Sequence, residues 1–138
     1  MLALTSALYT LLAGDATLTG LLATYGGGPA IFTTDPPPDD ATLPYIVTAG
    51  DVADAPWDTK NSRGRDIRRD VRCYAPANGS AVTVEEIADR VAVLLHRRSF
   101  PIDGRTVVVA DVSGPFNGPA EDTAYGRILT PRFKIEEQ

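Results

Sequence analysis

Cysteine and histidine are nearly missing from this chain, which has one of each, Cys73 and His96. A single thiol closes no internal disulfide, and one Cys with one His falls short of the usual zinc ligand sets. Lysine is scarce too, with two residues against eleven arginines. Positive charge is short overall: the net charge is −5 and the sequence pI is near 4.7. Loose electrostatic binding to phosphate normally needs a basic face, so this balance argues against it. No apolar run reaches the length of a membrane span, and no internal repeat is evident. There is no Walker A sequence, no G-x-G-x-x-G after a strand, no H-E-x-x-H and no G-x-S-x-G. The glycine-rich "YGGGPA" follows a helical pattern and leads into a strand, whereas a phosphate loop needs strand, loop, then helix.

What is present suits one folded domain over residues 1–138, with 43% apolar and 22% charged residues. The opening "MLALTSALYTLLAGDA" resembles a signal peptide but lacks the positive n-region. Leu4, Leu8, Leu11 and Leu12 fall at helical spacing, which predicts an amphipathic helix over about Leu2 to Ala13. Gly14 is expected to end it in a left-handed C-cap and Asp15 to cap a second helix, Ala16 to Thr24. Gly26-Gly27-Gly28 stops that helix, and short strands are expected at Ala30–Thr33 and Tyr45–Thr48. Between them "TDPPPDDAT" is a rigid acidic connector. "ADAPWDTKNS" reads as a long polar excursion, and an arginine-rich strand then runs to about Tyr74.

The most secure element is "TVEEIADRVAVLLHRR". Val84, Ile87, Ala88, Val91, Leu94 and Leu95 form one apolar face, and Thr83 with Glu86 has capping-box spacing. His96, Arg97 and Arg98 suit the C-terminal end of the helix dipole. "FPIDGRT" reads as a turn, "VVVADV" as a strand and Ser113–Thr123 as a second long loop. The closing "AYGRILTPRFKIEE" is an extended segment with Ile128, Thr130, Arg132 and Lys134 on one face. Its Pro131 calls for an edge or a bulge. The order α-α-β-β-β-α-β-β predicts an α+β fold, a largely antiparallel (mixed) sheet with helices packed on one face.

No catalytic, metal or cofactor site emerges. His96 has no orienting carboxylate or nucleophile beside it in sequence and reads as a helix-end residue. Cys73 reads as a small core residue. Asp39-Asp40, Asp51 with Asp54, and Glu121-Asp122 have no ligand spacing and read as solvated loops. Charge patterning says more. Six aspartates and no cation lie between Asp35 and Asp58, and six cations lie between Lys60 and Arg72 against Asp66 and Asp70. The blocks flank one excursion, so they can neutralise each other as adjacent strands or meet between subunits head to tail. Asp51, Asp54, Arg63, Arg65, Arg68, Arg69 and Arg72 are the candidate charge-pairing or subunit-interface residues. Trp57, Asp58 and Lys60 in the first excursion, and Phe116, Asn117 and Glu121 in the second loop, are candidate partner contacts. Trp57 has two readings, folded back on its own domain or anchoring a partner.

Three stretches in order then carry a resemblance. "ALYTLLAGDATLTGLLA", "GGPAIFTTDPPPDDATLPYIVTAGD" and "RRDVRCYAPANGSAVTVEEIADRVAVLLHRR" resemble the tail terminator, or tail-completion, proteins of long-tailed phages and related gene transfer agents. The resemblance runs nearly the full length, and none of its motifs is catalytic. It implies a structural protein of the virion tail, assembled in the host cytoplasm. It also implies a homo-oligomeric ring, usually a hexamer, at the head-proximal end of the tail tube. Such a ring stops tube growth and joins tail to head. Its partners would be the tail tube protein and a head-closure or connector protein, with DNA passing through the lumen ungripped. The alternatives are a different head–tail connector or head-closure (adaptor or stopper) protein, and a nucleic-acid-binding module using Asn61 to Arg72.

Overall fold

The computed structural model describes residues 2–33, 37–48, 51–56, 58, 63–96, 98–102, 105–118 and 124–137. Its helices are α1 (Leu2–Ala13), α2 (Ala16–Thr19) and α3 (Val82–Leu95). The strands are β1 (Thr24–Tyr25), β2 (Gly28–Pro29), β3 (Ile31–Phe32), β4 (Tyr45–Val47), β5 (Asp51–Pro56), β6 (Arg63–Arg69), β7 (Val71–Pro76), β8 (Ser99–Ile102), β9 (Arg105–Asn117) and β10 (Ala124–Glu137). The fold is α+β, as the sequence pattern predicts.

One sheet organises the molecule. β10 pairs antiparallel with β9 on one side, and on the other with β7 over its first half and β6 over its second. β6 and β7 thus act as one long strand interrupted at Asp70. β4 pairs with β7 and β5 with β6, both antiparallel, and β3 adds parallel to β4. Alternation sends Ile46, Ile67, Val71, Cys73, Val107, Val109, Leu129, Phe133 and Ile135 to one face. There they pack with Leu4, Leu8 and Leu12 of α1, Leu18 of α2, and Val84, Ile87, Val91 and Leu95 of α3. The other face has a smaller cluster at one side. Ala30, Phe32 and Val47 are buried there, and Tyr25, Phe32, Tyr45 and Tyr74 follow one another ring to ring at 5.1 to 5.6 Å.

Several expectations are corrected. α2 stops at Thr19. The following glycines serve a β1–β2 hairpin, in which Gly26 and Gly27 supply the positive φ of 61° and 85° that its two-residue turn demands. Gly14 is not left-handed: its N–H continues the helix to the Thr10 carbonyl at 3.0 Å. Asp15 does cap α2, accepting from the Leu18 N–H at 2.8 Å. The capping box is absent, because Thr83 lies inside α3 and the Ser80 hydroxyl accepts from the Val82 N–H instead. At the other end the Arg98 side chain donates to the Leu94 carbonyl at 3.0 Å.

The start of the "polar excursion" is strand β5, drawn into register by β6. "FPIDGRT" contributes to a β8–β9 hairpin, and β9 runs on through Ser113 to Asn117 because β10 goes on pairing with it there, at Ser113, Phe116 and Asn117. Pro131 is central rather than at an edge. It falls where β10 passes from β7 to β6, between Leu129 opposite Val71 and Arg132 opposite Arg68, so its missing N–H costs the ladder little. The bulge reading of this region holds, with register shifts against β9 on both sides of Pro131.

Candidate functional site

The two charge blocks meet within the chain. On the helix-packed face Asp51 lies opposite Arg69 in the β5–β6 ladder. Arg69 donates to Asp51 Oδ1 through Nε at 2.9 Å and Nη2 at 2.7 Å, and through Nη1 to the Thr5 hydroxyl of α1 at 2.6 Å. Burial alone raises the Asp51 pKa, but the hydrogen bonds and charge of Arg69 outweigh it and hold the carboxyl below its ordinary value. Further along the same two strands, Arg65 Nε donates to Asp54 Oδ1 at 2.8 Å, at a more exposed position.

The other face carries a second set. Arg132 of β10 grips Asp66 of β6, with Nε at 2.9 and 3.1 Å from its two oxygens. That contact lowers the Asp66 pKa and raises that of Arg132. The Thr130 hydroxyl donates to Asp70 at 2.8 Å, and Arg72 lies 3.8 Å from the same carboxylate. Arg68 is left exposed directly opposite Arg132, a like-charge pair. Arg63 is exposed at the start of β6. Of the candidate cations, then, Arg65, Arg69 and Arg72 are brought against aspartates, while Arg63 and Arg68 have no ion pair among the described residues.

Three ion pairs escaped the sequence reading: Arg132 with Asp66, Arg127 with Glu85 at 3.4 Å, and Arg90 with Asp15. Arg90 of α3 donates Nε and Nη2 to the two oxygens of Asp15, at 2.8 and 2.7 Å. Asp15 thereby caps α2 and ties it to α3. Its pKa drops to about 2, chiefly through the Arg90 hydrogen bonds and with help from the Leu18 N–H. The cap was visible in sequence, but a partner 75 residues away carries no local signal.

The strand ends that flank the candidate contact loops lie at opposite ends of the sheet. Arg63 pairs with Glu137 at one end of β10, and Ala124 pairs with Pro76 at the other. At ~3.3 Å per residue, the 14-residue β10 separates them by about 40 Å. Asp58, at the β5–β6 end, accepts from the Gly64 N–H at 3.4 Å. Trp57, Lys60 and Glu121 lie outside the described residues. Phe116 and Asn117, read as loop, are the last strand residues of β9, opposite Ile128 and Arg127, and Phe116 is 55% exposed.

Sites for chemistry are sparse. Burial pushes the Cys73 thiol up to about 12, far from a reactive thiolate. His96 is exposed at the end of α3. Among the described residues no three His, Cys, Asp or Glu side chains are grouped to hold a metal ion, and no helix is long and apolar enough to cross a membrane. An open cleft of about 360 Å³ between α1 and β3 is lined by Leu2, Thr5, Ser6, Tyr9, Thr10, Ile31 and Thr33, with no charged group.

Comparison with known proteins gives two positive results. The family model described as "Tail completion protein gp17" matches residues 6–135. Among solved structures, a chain of "Virion of native gene transfer agent (GTA) particle" superposes with a TM-score of 0.78 at 20% identity, covering 97% of this chain and 95% of that one. No curated protein matches in sequence.

Proposed function

The chain belongs to the tail completion protein gp17 family, and on that premise we propose that it is a structural protein of the virion tail that caps the head-proximal end of the tail tube as a ring. In this reading the ring, a hexamer by family resemblance, ends tube polymerisation and presents the surface that joins tail to head. The observation that carries the proposal is the family match over residues 6–135, nearly the whole domain. Two features of the molecule support it. The strand ends that flank the candidate contact loops sit about 40 Å apart at opposite ends of one sheet, which suits a part placed between tube and head connector. The arginine-rich strand has three of its cations against aspartates, which suits a wall that DNA passes without being gripped.

Electron microscopy of particles lacking the protein tests the reading. Overlong tails are expected. Tails of normal length that fail to join heads would make it a connector or head-closure protein instead.

A further inference from the structure

α3 buries one face in the core and leaves a stripe outside it. Val82, Glu86, Asp89, Val93 and His96 are all exposed, at intervals of four and three residues, which places them on one line. The valines at its two ends are 60% and 61% exposed, and its centre is acidic. From Val82 to Val93 the stripe runs about 17 Å at ~1.5 Å per residue. Val82 and Val93 lie outside the buried face of α3, so they hold apolar surface in water without serving the core.

The opposite surface of the molecule has the converse pattern. The described helices pack on one face of the sheet, and among the described residues nothing packs over the β6–β10–β9 region of the other face beyond the aromatic cluster. Phe116, 55% exposed, lies across from Ile128, and Val108, 42% exposed, lies across from Lys134. Between these apolar points stand Arg68 and Arg132, side by side. Asp66 pairs with Arg132, and Arg68 stands exposed beside them with no ion pair among the described residues. Asp111 flanks this row from β9, two strands away from Arg68. The span from Ile128 to Lys134 is about 20 Å. One surface is thus apolar, acidic, apolar and the other apolar, basic, apolar, at matching spacing on opposite sides of one two-layer domain.

We infer that the outward stripe of α3 docks on the uncovered sheet face of a second copy, Val82 and Val93 against the Phe116–Ile128 and Val108 positions and Glu86 and Asp89 against Arg68. The contact is heterologous, because each copy presents both surfaces, and repetition of such a contact closes a ring or extends a filament. This deepens the ring reading and rests on it.

The test is sedimentation velocity on purified protein over a wide concentration range at low and high salt. Wild type is expected to self-associate, more strongly at low salt. The double variant E86R/D89R and the single variant R68E are each expected to weaken association at least tenfold. An equimolar mixture of the two variants should recover it, since every contact in an alternating assembly is then complementary. Val93→Glu, at a position already exposed, is a second probe expected to weaken association if the double variant folds poorly. Unchanged association in all three variants, or a mixture that does not recover, overturns this assignment of faces and leaves the ring reading standing. A wild type that stays monomeric throughout overturns the pairing as a property of the chain itself, while tail length in particles judges the ring separately.

Discussion

Arg69 and Asp51 face each other across β5 and β6 at 2.7 Å, with the guanidinium only 2% exposed. The neighbouring pair, Arg65 and Asp54, has the same contact distance but is 44% and 32% exposed. Distance alone does not rank them, because removing a partner from a buried charge leaves it without water, whereas an exposed charge is resolvated. Asp51→Ala should therefore lower unfolding free energy by about 3 kcal/mol. Asp54→Ala should lower it by less than about 1 kcal/mol. Urea denaturation of the two variants checks the ordering. Equal effects would mean that Arg69 finds water or another acceptor when Asp51 is lost.

The exposed pair then separates stability from assembly. A large loss of association in Asp54→Ala, with little change in its denaturation midpoint, would assign Asp54 a role between subunits. No loss would leave it an internal pair.

How far the fold could be read from sequence depended on where the signal sat. α3 was legible because its burial stripe is local: six apolar residues at helical spacing, all buried in the structure. β5 was not, because "DVADAP" carries no apolar alternation and all six residues are exposed. Its strand character comes from β6 beside it. β8 was hidden by Pro101, which argues against a strand. The charge blocks were visible as blocks, but the partners 51 with 69 and 54 with 65 depend on a register shift between Asp51 and Ala53 that composition does not encode. Arg90 with Asp15 is a purely tertiary contact.

Cys73 should be silent to thiol reagents while the protein is folded. It is fully buried among core side chains, and burial lifts its pKa to about 12, so both access and thiolate are missing. Labelling with an aromatic disulfide reagent in native buffer should be slow and should accelerate through the urea transition. Fast native labelling would show that the sheet opens locally at β7.

Acid should weaken the α2–α3 junction. The Asp15 carboxyl falls from 3.8 to about 2 in the folded protein, so the fold favours its ionised form. That contribution is complete above the ordinary value of 3.8 and is lost as pH falls toward 2. Asp51 and Asp66 are shifted the same way and add to the same acid slope. Asp15→Asn keeps a good N-cap but removes the charge that Arg90 meets. It should reduce stability at neutral pH and flatten the loss between about pH 4 and pH 2. Thermal melts of both proteins across that window give the comparison, and identical slopes would remove Asp15 from the account.

Two glycines with positive φ should respond differently to a methyl group. Gly79, at φ 86° in the turn before α3, has open space where a Cβ would stand. Gly79→Ala pays only the left-handed backbone penalty, roughly 1–2 kcal/mol. Gly114, at φ 102° in β9, would place a Cβ 2.6 Å from the Ile128 carbonyl oxygen and 3.0 Å from the Phe116 nitrogen. Both atoms are backbone, fixed by the β9–β10 ladder, so neither rotates away. Gly114→Ala should therefore cost more than Gly79→Ala, by at least about 2 kcal/mol. Its damage should be concentrated where β9 and β10 pair, so hydrogen exchange at Phe116 and Ile128 should rise while α3 stays protected. Because that end of the sheet carries a proposed contact loop, Gly114→Ala should also impair tail joining at temperatures where the core remains folded. A variant with unaltered exchange at these positions would show that the ladder yields enough to admit the methyl.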